Sequence, residues 1–154
     1  MKKYLFLYSL VLFAVVISCR QKTENDVEKD YLISLVEKFP PPAGTEWFIL
    51  LPGMGCHGCI QEAEAFMKDF VDKKNMYFVL TRVESLKILE HKIGAKVSGQ
   101  SNVRADIENE IKIPTPNIVY PCIVKIKDGR YQEHAFQSPN SPSAFNNLRL
   151  LLEE

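Results

Sequence analysis

The sequence lacks an excess of charge of either sign, because its 19 basic and 19 acidic residues give a formal net charge of zero. A chain with no surplus of Lys and Arg offers no basic face for phosphates, so nucleic-acid binding is disfavoured. The sequence also lacks a glycine-rich phosphate loop, a Ser/His/Asp constellation, internal repeats and low-complexity segments. It therefore gives no indication of a phosphate-loop enzyme, a serine hydrolase or a repeat protein.

A comfortable membrane span is also missing. Residues 4–17 form an apolar stretch that is too short for one, and two lysines precede it. A short apolar segment behind a basic start is typical of an export signal. The stretch runs into Val16-Ile17-Ser18-Cys19, which resembles a bacterial lipobox except that Val16 stands where Leu is usual. That resemblance implies that Cys19 is lipidated; the alternative is an ordinary signal peptide or a short membrane anchor in which Cys19 is incidental.

These features divide the chain into three parts. Residues 1–19 are the predicted lipoprotein signal peptide, residues 20–26 a polar tether, and residues 27–154 a single folded domain. We expect the protein in the cell envelope, lipid-anchored to a bacterial membrane and facing the periplasm or the exterior. That compartment is oxidising, so a cysteine pair there can be a redox device or a disulfide.

Cysteine is scarce, and two of the four cysteines form a motif. A lipidated Cys19 leaves Cys56, Cys59 and Cys122, of which the first two have C-x-x-C spacing in Gly55-Cys56-His57-Gly58-Cys59. An apolar run at 47–51 precedes the motif and a helix-like stretch at 60–71 follows it. A thiolate in the first turn of a helix has a lowered pKa, because unpaired N–H groups and the helix dipole stabilise its charge. The second cysteine can then close a disulfide with the first.

Hydrophobic periodicity and turn signals predict the other elements. Helices are predicted at 26–38 and 60–71 and from Leu86 to Ile93, where Gly94 ends the helix. Strands are predicted at 46–51, 76–81, 122–127 and 130–136, with Asp128-Gly129 as the hairpin turn between the last two. The final helix is expected to have Ser141 as its N-cap and Pro142 as its first residue. Residues 95–117 form an insertion in which Val103, Ile107 and Ile111 hint at a helix.

Several single residues are predicted to lie on the surface or in the core without a functional role. We expect His91 and His134 on the surface and Met67 and Met76 in the core. Cys122 is predicted to be a half-buried strand residue, and a third redox role for it stays open.

The order of elements resembles the thioredoxin fold over residues 45–152. One feature that carries the resemblance is the C-x-x-C motif between the first core strand and its helix. The other is Tyr120-Pro121 directly before the hairpin, at the place of the family's cis-proline. The resemblance implies an α/β fold with a central mixed β-sheet flanked by helices, an extra N-terminal helix and an insertion before the cis-proline. The exported, lipid-anchored context is most similar to the TlpA/ResA branch of thiol-disulfide oxidoreductases.

The resemblance also implies roles for a few residues. Cys56 would be the attacking cysteine and Cys59 the buried resolving cysteine, with no cofactor required. Pro121 would face the pair, and the backbone of Tyr120 would hydrogen-bond an extended peptide. An imidazolium at His57 would favour the Cys56 thiolate and make the couple more oxidising. The implied partners are cysteine-containing envelope proteins and a redox partner, with the membrane reached through the lipid anchor and no nucleic acid involved.

The chain differs from the family pattern at three positions. Gly55 replaces the tryptophan before the first cysteine, Gly58 replaces the spacer proline, and Leu50 stands where thioredoxin has a buried acid. The usual proton acceptor for Cys59 is therefore missing from the sequence. We expect the fold to be retained and efficient reduction to be weakened.

The same residues allow two other functions. Residues 53–59 resemble the G-M-x-C-x-x-C loop of heavy-metal-associated domains, which bind soft ions such as Cu(I) through thiolates. In that interpretation the metal ligands are Cys56, Cys59 and either Met54 or His57. The other possibility is a non-catalytic scaffold in which Cys56–Cys59 is a permanent structural disulfide. A peroxidase is disfavoured, because no threonine lies three residues before a lone reactive cysteine.

Overall fold

A computed structural model describes residues 22–153 of the chain. The predicted signal peptide and Cys19 lie outside these residues. Between residues 22 and 153, none of the helices has both the length and the apolar composition needed to cross a membrane.

The described residues form a mixed β-sheet of five strands flanked by four α-helices. In chain order the elements are α1 (Glu24–Lys38), β1 (Trp47–Pro52), α2 (His57–Phe70), β2 (Met76–Thr81), α3 (Leu86–Ile93), β3 (Val103–Asp106), a 3₁₀ turn (Pro116–Val119), β4 (Cys122–Lys127), β5 (Arg130–Phe136) and α4 (Ala144–Glu153).

The sheet has the strand order β3-β2-β1-β4-β5. β1 lies at its centre, parallel to β2 and antiparallel to β4, while β3 adds a parallel edge strand and β5 an antiparallel one. β2 is buried along its whole length and β1 everywhere except Trp47, which explains why both read as unbroken apolar runs. This arrangement confirms the predicted α/β fold class and is consistent with a thioredoxin-like fold.

Each face of the sheet has its own apolar core. Alternate residues of β1 point to opposite faces, with Ile49 and Leu51 in one core and Phe48 and Leu50 in the other. Helices α2, α3 and α4 cover the first face, and α1 covers the second. The predicted core positions of Met67 and Met76 are confirmed, since both side chains are fully buried.

The first helix begins earlier than its apolar pattern indicates. It starts at Glu24 because Thr23 forms a capping box: the Thr23 hydroxyl accepts the Asp26 N–H, and the Asp26 carboxylate accepts the Thr23 N–H. Residues 24–26 of the predicted tether are therefore helical.

The helix suggested within residues 95–117 is wrong, because this segment supplies the edge strand β3. Val103 is the first residue of β3, while Ile107 is exposed beyond its end. The Asn102 side chain donates to the Val71 carbonyl at 2.7 Å, and the Asn102 carbonyl accepts from the Phe78 N–H at 2.8 Å. These long-range bonds outweigh a weak helical spacing.

The hairpin is confirmed, but the start of the last helix is not. Asp128 and Gly129 both have positive φ, as a two-residue hairpin turn of this type requires. The last helix starts at Ala144 rather than at Pro142. The Gln137 side-chain oxygen accepts the Phe145 N–H at 3.3 Å, so a distant side chain satisfies the helix start in place of Ser141.

Candidate functional site

The two motif cysteines form a disulfide at the start of α2. Cys56 is the N-cap residue of this helix, Cys59 lies in its first turn, and their Cα atoms are 5.3 Å apart. Cys56 is half-buried, whereas Cys59 is only 7% exposed. Cys56 is therefore the more accessible cysteine of the disulfide and Cys59 the buried one. The disulfide lies at the positive end of the α2 helix dipole.

The loop before the disulfide is packed between two backbone segments. A Cβ on Gly55 would lie 2.2 Å from the Val119 carbonyl oxygen, and a Cβ on Gly53 would lie 2.5 Å from the Arg82 carbonyl oxygen. Gly55 also has a φ of +152°, which favours glycine. The Cys56 N–H donates to the same Val119 carbonyl at 3.1 Å. These contacts explain why glycine, and not the tryptophan found in thioredoxins, precedes the first cysteine.

The expected cis-proline is wrong in one respect, because no peptide bond within residues 22–153 is cis. Tyr120 has φ −110° and ψ 143°, the extended geometry that a following proline favours, and trans is the lower-energy isomer of such a bond. The Tyr120 N–H donates to the Asn117 carbonyl at 2.9 Å, which leaves at most the Tyr120 carbonyl for a bound peptide. Pro121 itself is buried directly before β4.

His57 is the first residue of α2 and is exposed beside Cys56. Its position next to Cys56 is consistent with the prediction that His57 favours the Cys56 thiolate, which stays a prediction. We expect His57→Ala to lower the reduction potential of the Cys56/Cys59 pair. An exposed charge pair contributes about 0.5–1 kcal/mol, which corresponds to roughly 10–20 mV.

Glutathione redox titration of His57→Ala measures this shift. The matched control is His91→Ala, since His91 is exposed on α3 and lies outside the motif. A potential that is unchanged or raised in His57→Ala contradicts the role assigned to this imidazole.

Leu50, which stands where thioredoxin has a buried acid, lies in an apolar environment. Leu50 is 2% exposed, packs in the core covered by α1 and pairs across the sheet with Cys122. Among the buried residues described, the carboxylates come from helices instead: Glu28 in α1 and Glu64 in α2. Glu64 is ion-paired with Lys92 at 2.6 Å.

Cys122 is free and fully buried, so the prediction of a half-buried residue underestimated its burial. Its side chain packs in the core that α1 covers, on the face of the sheet opposite α2. Burial raises the pKa of the Cys122 thiol well above its usual range, and the Glu28 carboxylate raises this pKa further. This location gives no support to a third redox role.

We expect the Cys122 thiol of the oxidised, native protein to be alkylated at least about tenfold more slowly than a free cysteine at pH 8. The reason is that the thiolate is the reactive form, and burial disfavours it and blocks access. Its reactivity should rise with pH as the raised pKa is approached. Timed iodoacetamide labelling followed by mass spectrometry measures this rate, and rapid labelling without unfolding would contradict the structure.

A buried polar cluster behind the site was missed from the sequence. Thr115 Oγ1 and Asn117 Nδ2 both donate to Glu28 Oε1, and His134 Nε2 lies 3.5 Å from Glu28 Oε2. The side chains of His134 and Glu28 are 5% and 4% exposed, so the surface prediction for His134 is wrong, while His91 is exposed as predicted. The burial of Glu28 could have been predicted from the sequence, because Glu28 lies four residues before Leu32 and therefore on the same, buried face of α1.

Two shallow cavities of about 380 and 200 Å³ lie on either side of Met54. The larger reaches the 3₁₀ turn at Ile118, and the smaller reaches α3 at Ile88. Met54 is 46% exposed between them, two residues before Cys56. Met54 connects both cavities to the C-x-x-C loop, although neither cysteine lines either of them.

Comparison of the sequence with protein families, with curated proteins and with solved structures finds no match. Within residues 22–153, no group of three or more His, Cys, Asp or Glu side chains is arranged to hold a metal ion. The mixed sheet, the disulfide at the start of α2 and the proline directly before β4 are together compatible with a thioredoxin-like fold. A C-x-x-C disulfide in this setting can serve either redox exchange or structure.

Proposed function

We propose that the protein is a thiol-disulfide oxidoreductase that exchanges disulfides with partner proteins through Cys56 and Cys59. The observation that carries this proposal is the disulfide at the N-terminus of α2, with Cys56 half-buried and Cys59 buried. A partly accessible nucleophile beside a buried resolving thiol is the asymmetry that such an exchange requires. The helix N-terminus favours the thiolate form of Cys56 once the pair is reduced.

The reaction proceeds in two exchanges when the reduced protein acts on a partner disulfide. The Cys56 thiolate attacks one partner sulfur, forms a mixed disulfide and releases the other partner sulfur as a thiolate, which takes up a proton. The Cys59 thiolate then attacks the Cys56 sulfur and releases the second partner thiolate. Two electrons pass from the cysteine pair to the partner, and the Cys56–Cys59 disulfide is formed. The reverse sequence oxidises a partner dithiol.

The Cys59 proton must leave before the second exchange. No carboxylate is present at position 50 to accept it, because Leu50 lies there in the apolar core. We therefore expect the resolution step to be slow and the mixed disulfide to be long-lived compared with a site that holds a buried acid.

The partner we infer is an extended, cysteine-containing segment of an envelope protein. Its apolar side chains would enter the cavities beside Met54, while the Tyr120 carbonyl would accept a backbone N–H. The predicted signal peptide and Cys19 lipidation support a protein of the TlpA/ResA type, lipid-anchored in the cell envelope. Both the location and the partner class are proposals that rest on the sequence.

Cu(I) binding is the second candidate, and the exposure of Met54 beside the cysteines favours it. Reduced Cys56 and Cys59 would supply two thiolates and Met54 a thioether, a soft set that suits Cu(I). Titration of the reduced protein with Cu(I) against a competing chelator tests this directly. A 1:1 complex that is lost in Met54→Leu, without disulfide exchange activity, would replace the oxidoreductase proposal.

The proposed activity is tested by the reduction of insulin disulfides with dithiothreitol as electron donor. We expect the protein to accelerate this reduction above the rate of dithiothreitol alone. The control is the double variant Cys56→Ala/Cys59→Ala, with its fold checked by circular dichroism. No acceleration by the native protein, or equal acceleration by the double variant, would leave Cys56–Cys59 as a structural disulfide.

A further inference from the structure

We propose that Glu28 is a positioning residue for the redox pair, acting from α1 through the 3₁₀ turn on Cys56. Its carboxylate holds the turn that contacts the C-x-x-C loop, and it thereby stabilises the reduced form of the pair. The inference deepens the proposed function and rests on it for its biological use.

The first link joins Glu28 to the turn. Glu28 is buried, and its Oε1 accepts hydrogen bonds from the Thr115 hydroxyl and from Asn117 Nδ2, the latter at 2.7 Å. Thr115 is the N-cap of the turn and Asn117 lies within it. Hydrogen bonds to a buried carboxylate are among the stronger ones, and their loss leaves the buried Thr115 hydroxyl without its acceptor.

The second link joins the turn to Cys56. Val119, the last residue of the turn, accepts the Cys56 N–H through its carbonyl at 3.1 Å. The same carbonyl is pressed against Gly55, where a Cβ would approach it to 2.2 Å. A shift of the turn therefore moves or frees the backbone of the helix N-cap.

The carboxylate is also tied to the sheet. His134 Nε2 lies 3.5 Å from Glu28 Oε2, and the Tyr131 hydroxyl lies 2.7 Å from His134 Nδ1. Both residues belong to β5, and the Glu28 carboxylate also interacts electrostatically with the thiol of Cys122. The Glu28 side chain is thus fixed from two elements, which makes it a firm support for the turn.

The two redox forms depend on this support to different extents. In the oxidised form the bond to Cys59 fixes the Cys56 sulfur covalently. In the reduced form, the N-cap geometry of Cys56 depends on non-covalent contacts such as the Val119 bond. Removal of the support destabilises the reduced form more than the oxidised form, so it shifts the equilibrium towards the disulfide.

The test is the equilibrium constant of Cys56/Cys59 with glutathione, measured for the native protein, Glu28→Ala and Glu28→Gln. We expect Glu28→Ala to shift this constant at least about threefold towards the disulfide, which is about 14 mV. Glu28→Gln should have an equilibrium constant close to that of the native protein, because its amide oxygen can still accept hydrogen bonds from Thr115 and Asn117. Glu37→Ala, an exposed acid on the same helix, serves as the control and should leave the constant unchanged.

An equilibrium constant unchanged in a folded Glu28→Ala variant, or shifted towards the dithiol, overturns the inference. A purely structural role would lower the stability of the oxidised and reduced forms equally and leave the constant as it was. If Glu28→Ala does not fold, Asn117→Ala removes only a donor on the turn and is judged by the same threefold shift. The titration needs no protein substrate, so its outcome is independent of whether the protein reduces insulin.

Discussion

Replacing Cys56 with serine should abolish disulfide exchange, whereas replacing Cys59 with serine should trap the protein on its partner. Cys56 is the half-buried sulfur at the helix N-cap and Cys59 is the buried one. Without Cys56 no mixed disulfide forms, and we expect insulin reduction to fall at least about a hundredfold. Without Cys59 the first exchange still occurs, but no thiol resolves it.

Non-reducing electrophoresis and mass spectrometry distinguish the two variants. Cys59→Ser should accumulate a covalent complex joined through Cys56, and Cys56→Ser should not. Cys122→Ala is the matched control, because Cys122 is the free cysteine among the described residues and lies on the other face of the sheet. Its activity should match that of the native protein. Retained activity in Cys56→Ser, or lost activity in a folded Cys122→Ala, contradicts the assignment.

The second large effect concerns stability, and two glycines of one motif should respond in opposite directions. Gly55→Ala forces a Cβ to within 2.2 Å of the Val119 carbonyl oxygen, at a residue with a φ of +152°. Backbone strain and overpacking each contribute about 1–3 kcal/mol, so we expect a loss of at least about 2 kcal/mol. Gly58→Ala adds a Cβ that meets nothing within 4 Å, in a helix. It should stabilise by up to about 1 kcal/mol.

Urea unfolding of the oxidised variants, followed by circular dichroism, measures both changes. Because the substitution is the same and the sites are three residues apart, the pair separates the close backbone approach from a general effect of replacing glycine. A Gly55→Ala variant as stable as the native protein would show that the turn and the loop do not meet as described. Reduced stability of Gly58→Ala would contradict the open space at that position.

The sequence was sufficient for elements whose signals are local. The hairpin was predictable because Asp128-Gly129 is a strong two-residue turn signal, and α3 because Gly94 takes the left-handed conformation at its end. Strands β1 and β2 were predictable because strands buried on both faces carry unbroken apolar runs. The C-x-x-C disulfide was predictable from spacing and from its place between strand and helix.

The features that depend on distant contacts were not predictable. β3 forms because Asn102 bonds to Val71 and Phe78, which lie far away in the sequence. The exposure of His134 was misjudged because its partner, Glu28, is on another element more than a hundred residues earlier. The role of Gly55 is likewise invisible without knowing that Val119 packs against it. The candidate cysteines could be predicted from their local spacing, whereas the contacts that hold the C-x-x-C loop in place are visible only in the tertiary structure.

The reduction potential of the Cys56–Cys59 disulfide in the native protein tests the central proposal most directly. Equilibration with glutathione buffers of graded composition, followed by alkylation and mass spectrometry, gives this value. The account predicts a potential above about −270 mV, the value of thioredoxin, because a thiolate at a helix N-terminus beside His57 is stabilised. A potential below about −300 mV is typical of structural disulfides and would contradict a redox function for this pair.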